Sequence, residues 1–250
     1  MIDAGIYKRS DGKIVGFVLR GHSGGNERGY GYNVGCAEVS VLSQTVYLGI
    51  RKYLNREAAA ENSESGGLGV ELKYAPDDLT EAVFQIMLIG LRKIEKSKSN
   101  VVKVKMIPLD KTAESKLQEK LDAMKPTPSH ALPKIPVDKV AISVDILQVD
   151  DKTIGFSVEE RADNSAAELK IYCAGIWALT KSVAACIEKH LRRDVSIKKN
   201  ARRLTVKLND APDEITEAVF QTMMIGLREI EKQAPQIVNV NEKIFGGEIN

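Results

Sequence analysis

Two side chains in this sequence have the types and spacing for nucleophilic chemistry, His22 and Cys36. Six of the sixteen residues from Gly21 to Cys36 are glycine, Gly24, Gly25, Gly29 and Gly31 among them. Glycine at that density allows tight backbone paths and access for a ligand, and suits a flap over a substrate. The flanking patterns predict that His22 ends a strand and that Cys36 begins a helix. A cysteine at a helix start has its thiolate favoured by the unpaired N–H groups and the helix dipole. A neighbouring imidazole can accept the thiol proton and return it to a leaving amine. The same N–H groups can hold the oxyanion of an attacked carbonyl. Cys36 as nucleophile and His22 as base are therefore the candidate pair. The plainer roles stand beside it: a small buried cysteine and a structural histidine. The stretch lacks the Lys-Ser/Thr ending of a nucleotide-binding P-loop, so that reading is set aside.

Composition narrows the setting of this chemistry. The chain has 250 residues, 43% hydrophobic and 28% charged, as in ordinary globular proteins. A formal net charge of +2 does not argue for direct nucleic-acid binding. No apolar run reaches the roughly 18 residues of a membrane span, so no membrane partner is expected. Met1, Ile2 and Asp3 open neither a basic region nor the apolar core of a signal peptide. Three cysteines, Cys36, Cys173 and Cys186, make no disulfide framework, and with three histidines they lack zinc-site spacing. A cytoplasmic protein with a reduced thiol, no metal and no cofactor is the expectation.

The elements that must position the pair occur twice. Residues 75–96, APDDLTEAVFQIMLIGLRKIEK, match residues 211–232, APDEITEAVFQTMMIGLREIEK, at 17 of 22 positions. Upstream, KIVGFVL at 13–19 faces KTIGFSV at 152–158, and Cys36-Ala37 faces Cys173-Ala174. The offset falls from 139 at Phe17/Phe156 to 137 at the cysteines and 136 at the last helix, so the second copy has lost residues. In the first copy, residues 4–8 and 13–20 read as paired strands around the turn Ser10-Asp11-Gly12. Residues 36–54 read as a helix, with Val39, Leu42, Val46, Ile50 and Tyr53 on one face. Residues 68–74 read as a strand, Asp77 caps a helix to about Lys96, and residues 101–106 form a last strand. Residues 55–67 read as a polar, mobile loop. The second copy repeats the order at 140–148, 153–159, 172–191, 203–208, 215–232 and 237–240.

The predicted fold is α/β, an α+β two-layer sandwich, with a duplicated β-β-α-β-α-β unit. The second helix carries more apolar surface than one face requires, through Phe84, Met87, Leu88 and Leu91 and their repeats Phe220, Met223, Met224 and Leu227. Simple core packing is one reading of it; the alternative is that these helices also pack copy against copy, giving an internal pseudo-dimer within a monomer. Residues 1–108 make the first domain and 137–250 the second. Residues 109–136 are a linker, helical where Ala113, Leu117 and Leu121 align and extended at Pro126, Pro128, Pro133 and Pro136.

At Gly21-His22 and at Cys36-Ala37-Glu38-Val39-Ser40, the chain resembles the Prp family of bacterial cysteine proteases. That family's motif runs Gly-His, a glycine-rich stretch, then Asp-x-Val-Cys-Ala-x-x-Ser opening a helix. The likeness covers residues 1–106, and covers the second copy through the internal repeat. It implies Cys36 as nucleophile and His22 as its partner, with Gly21, Asn33 and Ser40 in support and the glycines as a cover on a peptide. It also implies a peptide or protein substrate, an N-terminal extension of a large-subunit ribosomal protein cut after an aromatic residue. Family members form homodimers, which a fused pair would replace internally. Asn33 stands where the family has Asp, and an amide cannot supply the charge that steadies an imidazolium. Gly35 replaces a valine, and Glu38 brings an acid whose charge, if near Cys36, opposes thiolate formation.

The second copy lacks the pair. Arg161 takes the approximate place of His22, Trp177 that of Ser40, and the stretch 161–170 has no glycine. His190 lies about 25 Å along the same helix from Cys173 at the standard rise. Cys173 and Cys186 read as core residues, and His130 as an exposed linker residue. A one-site cysteine endopeptidase leads on these grounds. A non-catalytic peptide-binding or ribosome-assembly protein on the same fold is its rival, and a thiol enzyme for a small substrate is a third.

Overall fold

A computed structural model describes residues 1–23, 33–62, 67–110, 140–161 and 167–245. The first copy comprises β1 (Ile2–Lys8), β2 (Ile14–Arg20), α1 (Val34–Leu48), β3 (Ala58–Asn62), β4 (Leu68–Leu72), α2 (Asp78–Ser97) and β5 (Val102–Pro108). The second comprises β6 (Ile142–Val149), β7 (Lys152–Glu160), α3 (Ala167–Ala185), β8 (Val195–Lys199), β9 (Arg203–Leu208), α4 (Glu214–Gln233) and β10 (Val238–Ile244). Each copy forms one five-stranded mixed sheet, in the orders β3-β4-β2-β1-β5 and β8-β9-β7-β6-β10. The last strand runs parallel to the first, and the other neighbours are antiparallel. The fold is the duplicated α/β unit that the repeat requires, with one more strand per copy than the periodicity indicates.

Repeated residues repeat their contacts. Phe17 meets Phe84 edge-on at 6.3 Å, and Phe156 meets Phe220 at the same 6.3 Å. The glycine before each of these strand phenylalanines lets the next strand approach, since a Cβ at Gly16 or Gly155 would strike the carbonyl of Val70 or Val206. Asp77 caps α2 by accepting from the Thr80 N–H at 2.7 Å, and Asp213 caps α4 by accepting from Thr216 at 2.8 Å. Glu81 and Glu217 accept from the main-chain N–H of Ile14 and Thr153, tying each helix start to its hairpin.

Two elements differ from expectation. Residues 58–62, expected in a mobile loop, form the edge strand β3, with Ala58 and Ala60 packed on the core. Main-chain pairing to β4 makes this strand, and its AAAEN sequence carries no apolar alternation to reveal it. Its counterpart β8, VSIKK, is likewise an edge strand paired to β9, too short and too exposed for its brief alternation to stand out. The long first helix changes geometry at Gly49–Tyr53, a π-helical turn in which the Leu54 N–H donates to the Gly49 carbonyl at 3.0 Å. Cys186–His190 repeats it. Residues 111–139, which include most of the linker 109–136 with Ala113, Leu117, Leu121, His130 and the four prolines, lie outside the described residues.

The four helices pack between the two sheets, and one hydrophobic core runs through both copies. The apolar excess on the helices is therefore used copy against copy, as an internal pseudo-dimer. Small residues set the close approach. A Cβ on Gly90 would lie 2.6 Å from Ser182 Oγ, and one on Gly226 would overlap Thr45 Oγ1. Ser182 and Thr45 are repeat-related, so this pair of contacts obeys a pseudo-twofold axis. Residues Leu169–His190 are long and apolar enough to cross a membrane by composition alone, yet 67% of that stretch is buried inside the protein. Its apolar surface serves the joint between the copies.

Candidate active site

Cys36 sits in the first turn of α1, half-buried, with its chain direction set by the N-cap Asn33. The Asn33 Oδ1 accepts from the Gly35 N–H at 2.7 Å and, weakly, from the Cys36 N–H at 3.4 Å. Its Nδ2 donates to the Ser23 carbonyl at 3.0 Å, which fixes the amide orientation. The Ser23 hydroxyl lies 2.6 Å from Asn33 Oδ1 and 3.2 Å from Cys36 Sγ. Because Oδ1 can only accept, the Ser23 proton goes to Asn33, and a serine lone pair faces the Cys36 thiol. The Ser23 N–H also points at Sγ, 3.4 Å away. Ser23 is 5% exposed, so this small network is shielded from solvent.

His22 immediately precedes Ser23, so docking of Ser23 on α1 brings the His22 backbone to the start of the helix. Gly21 takes φ +89°, a left-handed conformation that suits glycine, as the chain leaves β2. The His22 carbonyl accepts from the Met1 nitrogen at 2.6 Å. The His22 ring is exposed, and the hydrogen bonds to Sγ from described residues come from Ser23 rather than from the imidazole. Gly24, Gly25, Gly29 and Gly31, the candidate substrate cover, lie outside the described residues.

The departures around the thiol have local explanations. Gly35 is buried against Val101, whose Cγ1 would lie 2.6 Å from an added Cβ, so glycine here balances a large neighbour. Glu38 neither faces solvent nor stands uncompensated. Its side chain is 14% exposed, and Lys98 Nζ lies 2.9 Å from both carboxylate oxygens. Ser40 is exposed, and its carbonyl accepts from the Ser43 hydroxyl at 3.2 Å.

The matching place in the second copy is closed. Cys173 is 5% exposed, and the residue aligned with Gly35 is Tyr172. Arg161 holds the His22 position in the backbone, donating its N–H to the Ala141 carbonyl at 2.7 Å. Trp177 donates Nε1–H to Glu160 at 2.9 Å and carries Lys181 Nζ 4.7 Å above its ring. Cys186 is fully buried, and burial pushes its thiol up to about 12, with the charge of Glu81 adding to the effect. Among the described residues, no cluster of three or more His, Cys, Asp or Glu side chains is placed to hold a metal ion.

Of the residues singled out by type, the structure thus joins Cys36, Asn33 and the His22 backbone. It adds Ser23, which sequence reasoning passed over. The signal for Ser23 was faint: a small polar residue directly after the histidine, in a stretch otherwise read for its glycines.

The profile of the cysteine protease Prp family matches residues 1–103 and again residues 141–239. No curated protein matches the chain. Among solved structures, SMU.848 from Streptococcus mutans is similar at 23% identity and TM-score 0.39, over 44% of this chain and 99% of that one. The essential ribosomal processing protease Prp from S. aureus, with a covalently linked product peptide, is similar at 22% identity and TM-score 0.38, over 42% and 99%. The same protease with a substrate peptide gives 21% and 0.37, again over 42% and 99%.

Proposed function

Because this chain belongs to the cysteine protease Prp family through both of its copies, we propose that it is a one-site endopeptidase whose nucleophile is Cys36. The carrying observation is the contrast between two repeat-related thiols. Cys36 opens a helix, half-buried beside a polar network, whereas Cys173 is packed away beside Tyr172. In the reaction, Sγ attacks a peptide carbonyl carbon while the His22 imidazole takes the thiol proton. That proton passes to the leaving amine as the C–N bond breaks, and water then releases the acyl group from sulfur. The Cys36 N–H, only weakly engaged by Asn33, is a main-chain donor available to the developing oxyanion. The Ser23 N–H supports the sulfur as it becomes anionic.

Asn33 acts here as a positioning residue. It orders the first turn of α1 and anchors Ser23, so it holds the two chain segments that carry Cys36 and His22. The imidazolium formed during attack receives no carboxylate from this position, and the pH profile should lack the contribution of an adjacent acid.

The family resemblance points to an N-terminal extension of a large-subunit ribosomal protein as the substrate. The second copy then replaces the second subunit of a homodimer and contributes packing rather than chemistry. Incubating such an extended peptide with the protein, and with Cys36→Ser and His22→Ala, tests the reading by mass spectrometry. Cleavage by the wild type alone supports it. Equal cleavage by Cys36→Ser removes the assignment, and a peptide bound but uncut by all three leaves the non-catalytic binding reading in its place.

A further inference from the structure

The joint between the copies has two sides related by the pseudo-twofold axis, and they differ in charge. The 22-residue repeat contains one reversal of charge, Lys93 against Glu229. On one side Glu229 forms ion pairs with Lys52 at 3.3 Å and Lys232 at 3.7 Å. On the other, Lys93 replaces the glutamate, and Lys189 stands where Lys52 does. The replacement is reinforced by neighbours. Lys181 and Lys199 occupy the positions of Gln44 and Asn62. Lys93 Nζ donates to the Lys181 carbonyl at 2.9 Å, bringing the two residues together across the joint.

Lys93 also lines an open groove of about 570 Å³ on the first copy. Leu88, Ile89 and Met106 provide an apolar floor, Lys8, Arg92 and Lys96 flank it, and no carboxylate is among its described lining side chains. Arg92 is engaged by Glu95 at 2.8 Å. Among the described residues, none of Lys8, Lys93, Lys96, Lys181, Lys189 or Lys199 forms an ion pair, although Glu188 lies within electrostatic reach of Lys93. Partial burial, followed by the charges of Lys189, Lys181 and Lys199, pushes the Lys93 ammonium below its ordinary range. Positive charge with no ion-pair partner among the described residues offers a favourable field to an anion, although Glu38 and Glu160 lie within electrostatic reach of Lys181.

We propose that this face, from the Leu88–Met106 floor across Lys93 to the lysines of the second copy, is a docking groove for an acidic, amphipathic segment of a partner protein. Apolar side chains of the segment would lie on the floor, and its carboxylates would meet the lysine ammonium groups along this face. The apolar floor favours a peptide over a nucleic acid, whose backbone would need no such surface. Only a fused pair can build this groove on one side alone, because identical copies would carry the same charges on both.

The test uses the full chain and a fluorescent 14-residue peptide alternating Glu and Leu, read by anisotropy. Controls are the peptide with Gln for Glu and a 14-nucleotide single-stranded RNA. The wild type should bind the acidic peptide, lose affinity at least tenfold on Lys93→Glu, and weaken less on Lys93→Gln. Lys93→Glu recreates the Glu229–Lys52 arrangement of the opposite side, so its thermal midpoint should not fall. Equal affinity of the wild type and Lys93→Glu would overturn the proposal. So would tighter binding of the RNA than of the peptide, or no peptide binding up to millimolar concentration.

Discussion

The Ser23 hydroxyl lies 3.2 Å from the Cys36 sulfur and gives its proton to Asn33 at 2.6 Å, so serine links the helix cap to the thiol. This relationship explains how an amide serves at the start of the helix. The Asn33 Nδ2 donates to the Ser23 carbonyl at 3.0 Å, a contact that a carboxylate oxygen would turn into a repulsion.

Asn33→Asp should therefore destabilise the protein although Asp and Asn cap helices equally well. The loss should be about 1–3 kcal/mol, the usual range for leaving a shielded polar group without its partner. Asn33→Ala should cost at least about 1 kcal/mol, since it loses the cap and the same contact to Ser23. Chemical denaturation of the two variants measures both values. An Asp variant as stable as the wild type would show that the Ser23 carbonyl does not depend on the amide.

The thiols should separate by reactivity with pH. Cys186, held up to about 12 by burial and then by Glu81, remains a neutral thiol throughout the range where proteins are normally alkylated. Iodoacetamide at pH 8 should label Cys36 first, with Cys173 and Cys186 following only as the chain unfolds. The same elevation has a stability consequence. The unfolded thiol ionises near about 8.5, so the Cys186 contribution is full below that pH and declines as pH rises toward about 12. Cys186→Ala should flatten the alkaline fall in stability, measured by urea denaturation between pH 8 and 10.

The close approach of the copies predicts a rescue. Gly226→Ala places a methyl on the Thr45 side chain and should cost about 1–3 kcal/mol, as overpacking does. Adding Thr45→Ala should recover part of that loss, because the two changes meet at one contact. Simple additivity in a double-mutant cycle would place the clash elsewhere.

The two helix caps should fail together in acid. Burial raises the Asp77 carboxyl, but hydrogen bonds from Thr80 and Arg56 outweigh it and leave Asp77 below the usual carboxylate range. Asp213 is held down in the same way by Thr216 and Arg193. Lowered folded-state values stabilise above the unfolded carboxylate value near about 4, and that contribution is lost as pH falls through the folded value. Asp77→Ala should cost about 1 kcal/mol at pH 7 and less at pH 2.5. A pH-independent difference in thermal midpoint would count against charge at the cap.

Legibility in the sequence followed the physical origin of each feature. The helices 78–97 and 214–233 were readable because amphipathic spacing and an aspartate cap are local signals. The strands β3 and β8 were not, because pairing with β4 and β9 makes them, and five-residue edges carry too little apolar pattern to reveal it. Cys36 was visible by type and by its place at a helix start. Ser23 was not, since its role exists only where the chain returns to α1. Lys93 against Glu229 could be seen in the repeat, but its meaning required knowing that both face the joint between copies.

Restoring the missing histidine should not revive the second copy. Arg161→His would place an imidazole at the backbone position of His22, and Trp177→Ser would restore the residue type of Ser40. Neither change opens the site, because Cys173 is 5% exposed and Tyr172 fills the place of Gly35. Nor does either supply the cap, since Lys170 stands at the position of Asn33 and cannot accept the bonds that organise the first turn of α1. In a Cys36→Ser background, the double variant should show no peptide cleavage and no faster alkylation of Cys173. Cleavage by that variant would mean that a histidine and a serine were all the second copy lacked, and that the Asn33–Ser23 network is dispensable for the chemistry.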